Sequence, residues 1–252
     1  MRLLLDFLFR FGWGLAAGLV ITSPAAVTAG FFRVNSLVVM GLATFAALLA
    51  PTAGASWPLP AAAAVVAWMA SVAWLGEKPR AGLVLCGVTA LLLAAATVRF
   101  SCGAAGQEAA AGGGALALPL TACGRLLSGL VVGLVVHAML LGHWYLNAPG
   151  MSVAALRRAI GQALAAWGVC LAAAAVAIIP GLSETLRTAD PATLSLLSLR
   201  WLAGLVGLPI LLVMARKTLD IPNTQSATGI LYVACLAAIL GELTAELLAA
   251  AA

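Results

Sequence analysis

Between residues 81 and 98 eighteen consecutive side chains pass without a charge, and residues 126–141 form a second apolar run broken only by Ser128 and His137. Lipid offers the backbone no hydrogen bonds, so segments of this kind satisfy their N–H and C=O groups internally, as helices. A membrane barrel needs polar and apolar residues alternating over about ten positions, and these runs do not alternate. Composition excludes the remaining classes. At 64% hydrophobic and 8% charged, the chain lacks the polar surface of a soluble domain, which is about 25% charged. It also lacks the charge of a disordered or nucleic-acid-binding segment. The expected fold is an all-α, polytopic transmembrane helix bundle.

One span with its connection takes roughly 28–32 residues, so 252 residues hold about eight spans. They are expected near 11–32, 35–55, 58–76, 81–99, 119–146, 156–180, 195–215 and 226–248. Pro51, Gly54, Pro58 and Pro60 crowd one turn, and a seven-helix count with a re-entrant second segment competes there. The organisation expected is an apolar four-helix half at 1–100, a Gly/Ala-rich connection at 101–118, and a four-helix half at 119–252. Both His and both Tyr fall in that last part. The first thirty residues share features with a signal peptide, namely Arg2, an apolar stretch and small residues at 25–29. Asp6 and Arg10 interrupt that pattern, and a retained first helix is expected. Pro24 in the first span and Pro209 in the seventh are expected to kink them.

Eight spans place both termini on one side, together with Arg125, Arg187, Arg200, Glu184, Glu242 and Glu246. The opposite side carries Arg33, Lys78, Arg80, Arg157, Arg158, Arg216 and Lys217. The pairs Arg157-Arg158 and Arg216-Lys217 tip that side toward the cytoplasm under the positive-inside bias, giving a multi-pass protein of the cell (inner) membrane. The five cysteines show no CxxC spacing and are odd in number, which argues for small buried hydrophobes rather than disulfides. Basic loops beside anionic lipid account for the net charge of +5 without nucleic acid.

The densest polar chemistry runs from His137 through His143, Trp144, Tyr145 and Asn147. Trp144 and Tyr145 suit an interfacial belt. His143 adds a group of the type that exchanges protons near neutral pH, at the level where a lipid-soluble molecule meets water. His137 shares a helical face with Gly129 and Gly133, a small-residue pattern that admits a second helix closely, so it is expected to point into the bundle. The two histidines lie roughly 240° apart around the helix and about 9 Å along it. They cannot share one haem; haem b would need a ligand from a partner subunit, or Met139 or Met214. No metal-ligand spacing exists for zinc or copper.

Arg216, Lys217, Asp220, Asn223, Thr224, Gln225 and Ser226 form a second cluster, in which Asn223 or Thr224 can cap the last helix. On the other side Glu242 and Glu246 share one face of that helix, and Arg200 is expected to pair with Glu242. From these residues three readings follow. The leading one is a subunit of an electron-transfer or respiratory complex, without a redox centre of its own. It would bind quinone through His143, Trp144, Tyr145, Asn147, Arg216, Lys217 and Gln225, with His143 and His137 as proton-active groups and redox partner subunits supplying electrons. The second is a proton-coupled transporter using Arg200, Glu242, Glu246 and His137. The third is a haem-b-binding protein or a non-catalytic membrane anchor or assembly subunit.

Overall fold

The computed structural model describes residues 1–109, 117–148, 150–178, 190–221 and 223–251. Helix is the only regular structure among them, and eight helices are long and apolar enough to cross a membrane. These are α1 (Arg2–Ile21), α2 (Ala29–Leu49), α3 (Pro58–Leu75), α4 (Pro79–Ala109), α5 (Ala117–Asn147), α6 (Ala154–Ile178), α7 (Pro191–Thr218) and α8 (Thr224–Ala251). The protein is a polytopic transmembrane helix protein. Its chain divides into two compact units, Met1–His137 and Ala138–Ala252, so the division falls within α5.

The first helix begins nine residues earlier than the sequence suggests. The expectation of a start near 11 treated Asp6 and Arg10 as too polar to enter. Both are nevertheless buried, because they neutralise each other within the helix. Pro24, expected to kink this helix, lies in the connection after it. The crowded turn after α2 is a 3-10 turn at Pro51–Ala53, closed by Gly54 at φ 68°. The stretch expected as a connection is helical as far as Ala109, and residues 110–116, Glu184 and Arg187 lie outside the described residues.

In the first unit α2 packs on α3, α3 on α4, and α1 on α4 and α2. The foot of α1 contributes Leu5, Leu8 and Phe9 to a core with Ala46, Ala50 and Ala96. Its other side meets α5 along a row of residues four apart. Residues 6, 10, 14 and 18 of α1 face residues 125, 129, 133 and 137 of α5, each row a ridge of the i±4 type. A methyl group at Gly14 would overlap the Gly129 carbonyl, and one at Gly129 would fall 2.6 Å from the Arg10 carbonyl oxygen. One at Gly133 would strike the Gly14 backbone. Between lipid-embedded helices, where apolar burial supplies little drive, such backbone proximity is the main source of attraction. Trp13 adds a hydrogen bond from its indole N–H to the Leu126 carbonyl at 3.0 Å. Asp6 opposes Arg125 and Gly18 opposes His137, so the two helices run parallel.

In the second unit α8 packs on α7, and α7 on α6. Asp190 caps α7 by accepting from the Thr193 N–H at 3.2 Å, and hydrogen bonds from Thr193 hold its carboxyl below the ordinary carboxylate range. Within α7 the α-helical turns give way to a π-helix over Arg200–Gly207, and Leu208–Thr218 is α-helical again. A π-helix bonds the N–H of residue i+5 to the carbonyl of residue i. The Leu208 N–H accordingly donates to the Ala203 carbonyl. The next donor in that register would be residue 209, a proline with no N–H. The Gly204 carbonyl is therefore left over, and Trp167 of α6 donates its indole N–H to it at 3.1 Å. Gly204 also lets α8 come close, since a methyl at Gly241 would lie 2.6 Å from the Gly204 Cα.

Two stability measurements check this packing. Gly14→Leu or Gly133→Leu should cost at least about 3 kcal/mol, the upper part of the overpacking range, because the clash is with backbone. Gly41→Leu, where nothing lies within 4 Å, should be neutral in the same thermal unfolding in detergent. Trp167→Phe should cost about 1–3 kcal/mol by orphaning the Gly204 carbonyl. Adding Pro209→Ala, which returns an N–H, should recover most of that loss; a double-mutant cycle showing no coupling would contradict the assignment.

Candidate functional site

At one end of the first unit Asp6, Arg10, Arg125 and Ser128 bind one another. Asp6 Oδ2 lies 2.8 Å from Arg10 Nε, and Asp6 Oδ1 accepts from Arg125 Nη1 at 3.0 Å. Arg10 Nη1 donates to Ser128 Oγ at 2.9 Å, and Ser128 Oγ donates to the Arg125 carbonyl at 3.1 Å. Asp6 and Arg10 are each 2% exposed. Two α1 residues one turn apart thus meet a matching pair on α5, and this closes one end of the parallel seam.

His137 closes the other end. It is fully buried, and its ring occupies the space that a Gly18 side chain would fill, with Cγ 2.7 Å from such a methyl. Phe31 packs edge-on against it with ring centres 5.5 Å apart. The Thr22 hydroxyl lies 2.7 Å from His137 Nε2 and donates to the Gly18 carbonyl at 2.8 Å. A hydroxyl has one proton, so Thr22 accepts from the imidazole. The ring therefore carries a proton on Nε2, and its buried Nδ1 has no hydrogen-bond partner among the described residues. The face shared by Gly129, Gly133 and His137 does point into the packing as the spacing implied. Gly18, Phe31 and Thr22 enclose the ring.

The second unit turns its chemistry outward. His143 stands one turn before the end of α5 and is exposed. Its Nδ1 lies 3.1 Å from the hydroxyl of Tyr232 on α8, also exposed, with the two rings edge-on at 6.4 Å. The helices can approach here because position 142 is glycine: a methyl there would lie 2.7 Å from Thr228 Oγ1. The pair joins two groups of the kind that pass protons.

The other expected ligands divide. Tyr145 is buried and its hydroxyl donates to the Ser152 carbonyl, which pins the turn into α6. Its proton is therefore committed to the backbone. Asn147 is exposed and its amide reaches back to the His143 carbonyl at 3.4 Å. Trp144 is half-buried beside it. Arg216 lays its guanidinium across Gly161 of α6, while Lys217 and Gln225 are exposed. Asn223 caps α8 by accepting from the Ser226 N–H at 2.9 Å. Arg157, at the start of α6, pairs with Asp220 at 2.8 Å and donates to the Leu219 carbonyl at 2.8 Å. The start of α6 is thereby tied to the loop between α7 and α8.

Arg200, Glu242 and Glu246 are half-buried. The charges of Glu242 and Arg200 both act on the thiol of Cys170 on α6, so these three side chains share one neighbourhood beside the π-helix. Sequence reasoning missed two partners. Asp6 with Arg125 was legible in principle, since each lies on a four-residue spacing with two glycines, Gly14 and Gly18 or Gly129 and Gly133. Tyr232 carried no local signal, standing alone in an apolar run. Among the described residues no group of three His, Cys, Asp or Glu is placed to hold a metal ion. Comparison with protein families, characterised sequences and solved structures finds no match for this chain.

Asp6→Asn should cost about 3–5 kcal/mol, the usual effect of removing one partner of a buried pair. Arg125→Gln should cost less, because its side chain is 26% exposed and Asp6 keeps Arg10. Thermal unfolding of both variants measures the order, and equal, negligible losses would contradict it.

Proposed function

We propose that this protein is a membrane-embedded, quinone-binding subunit of an electron-transfer complex, without a redox centre of its own. The observation carrying this reading is the exposed His143–Tyr232 pair at the end of α5. Asp6, Arg10 and His137 of the first unit are buried, whereas this pair is exposed on membrane-spanning helices. Quinone reduction takes two electrons and two protons at its carbonyl oxygens. With Tyr232 donating to Nδ1, His143 would hold a quinone carbonyl oxygen through its Nε2–H and could supply one of the two protons, the ring being reprotonated at Nδ1 from the Tyr232 hydroxyl. Water would supply the second proton and restore the one lost by Tyr232, with both electrons coming from a partner subunit. Asn147 and Trp144 flank the approach, Arg216 and Lys217 stand in the last turn of α7, and Gln225 stands in the first turn of α8. Tyr145 supports the site by holding the turn through its bond to the Ser152 carbonyl. The basic pairs at 157–158 and 216–217 favour a cytoplasmic position for this side, in the cell (inner) membrane.

A proton-coupled carrier built on Arg200, Glu242 and Glu246 is the second reading. What favours it is the π-helix beside these charges, since such turns recur at functional sites. Uptake into liposomes driven by a pH gradient and abolished by Glu242→Gln would support it over the first.

Bound quinone, extracted from the purified protein and quantified by chromatography, tests the leading reading. His143→Ala should lose most of it, and Tyr232→Phe should lower affinity about threefold, the worth of one net hydrogen bond. Both residues are exposed, so helix content should stay unchanged. Wild-type protein free of quinone, or variants retaining it fully, would discard the proposal.

A further inference from the structure

A groove of about 380 Å³ runs along the outside of α3 and α4, lined by Trp68, Met69, Val72 and Leu85, with Lys78 at its mouth. Trp68, Met69 and Val72 are exposed despite their size, as befits a surface that meets acyl chains rather than water. From Trp68 to Gly76, where α3 ends, is eight residues, or about 12 Å along the axis at 1.5 Å per residue. One leaflet of the hydrocarbon core is about 15 Å thick. The groove therefore has the length and direction of a single acyl chain descending from the headgroup level.

Its mouth is set by the turn. The Glu77 N–H donates to the Trp74 carbonyl and the Lys78 N–H to the Ala73 carbonyl, the paired closure of a Schellman motif. That closure requires a left-handed residue, and Glu77 takes it at φ 52°, a conformation that glycine adopts more readily. The backbone bonds hold Lys78 at the level where α3 stops. Arg80, exposed and two residues on, adds a second positive charge against the single negative charge of Glu77.

The geometry points to a bound-lipid site: an anionic phospholipid lays one acyl chain in the groove and its phosphate against Lys78. The apolar wall matches the chain, and the net positive turn selects the headgroup. The site lies wholly in the first unit and is independent of the quinone reading.

Protein reconstituted into liposomes of equal parts phosphatidylcholine and phosphatidylglycerol, then released in mild detergent, can be weighed by native mass spectrometry. Wild-type protein should retain phosphatidylglycerol in preference to phosphatidylcholine. Lys78→Gln should reduce that preference about fivefold, the equivalent of about 1 kcal/mol per basic residue at an anionic surface. Ala73→Phe, which fills the groove, should lose both lipids. No preference in wild-type protein, an undiminished preference in Lys78→Gln, or full retention in Ala73→Phe would each overturn the assignment. Because Lys78 is exposed, its replacement leaves the fold intact and the test readable.

Discussion

The contact on which the first unit depends is the parallel seam between α1 and α5. Lipid chains are as apolar as leucine, so helices gain little by hiding apolar surface from them. What holds them together is close backbone packing and polar contacts that would otherwise be stranded in hydrocarbon. Gly14, Gly129 and Gly133 supply the first, and Asp6, Arg10, Arg125 and Ser128 supply the second. Four-residue spacing on both helices links these effects. The same two ridges carry the charges at one end, the glycines in the middle, and Thr22 with His137 at the other. The ion pair explains why a segment with three charges can start a membrane helix at Arg2 at all.

The second unit solves the same problem with an irregular helix. Pro209 removes a donor, the π-register displaces the deficit to Gly204, and Trp167 of the neighbouring helix supplies the missing N–H. The glycine at that position does double service, since it also admits Gly241 of α8. A fault in one helix thus becomes the point at which two others attach. Arg157 does comparable work at the surface by joining the start of α6 to the loop after α7.

Much of this was legible in the chain. The apolar runs implied about eight helices against a competing count of seven, the Gly129, Gly133 and His137 face implied a close partner, and a cap by Asn223 or Thr224 followed from their position before a helix. The partner of that face was not legible, because Asp6 and Arg10 look like a polar leader until their long-range neighbour Arg125 is known. A local reading likewise treats Pro209 as a kink, for one extra residue per turn leaves no trace in hydropathy. Tyr232 became a candidate only through its contact with His143, 89 residues away. The hydrogen bond from the Tyr145 hydroxyl to the Ser152 carbonyl was likewise not legible.

These features separate buried polar groups that hold helices together from polar groups that stand open. In the first unit Asp6, Arg10 and His137 are buried; in the second His143 and Tyr232 stand exposed together. The most direct measurement of that division is labelling with a photoreactive quinone in native membranes, followed by peptide mapping. The label should fall on the α5 and α8 segments around His143 and Tyr232 and be displaced by excess unlabelled quinone. Label confined to other helices, or insensitive to competition, would contradict the account.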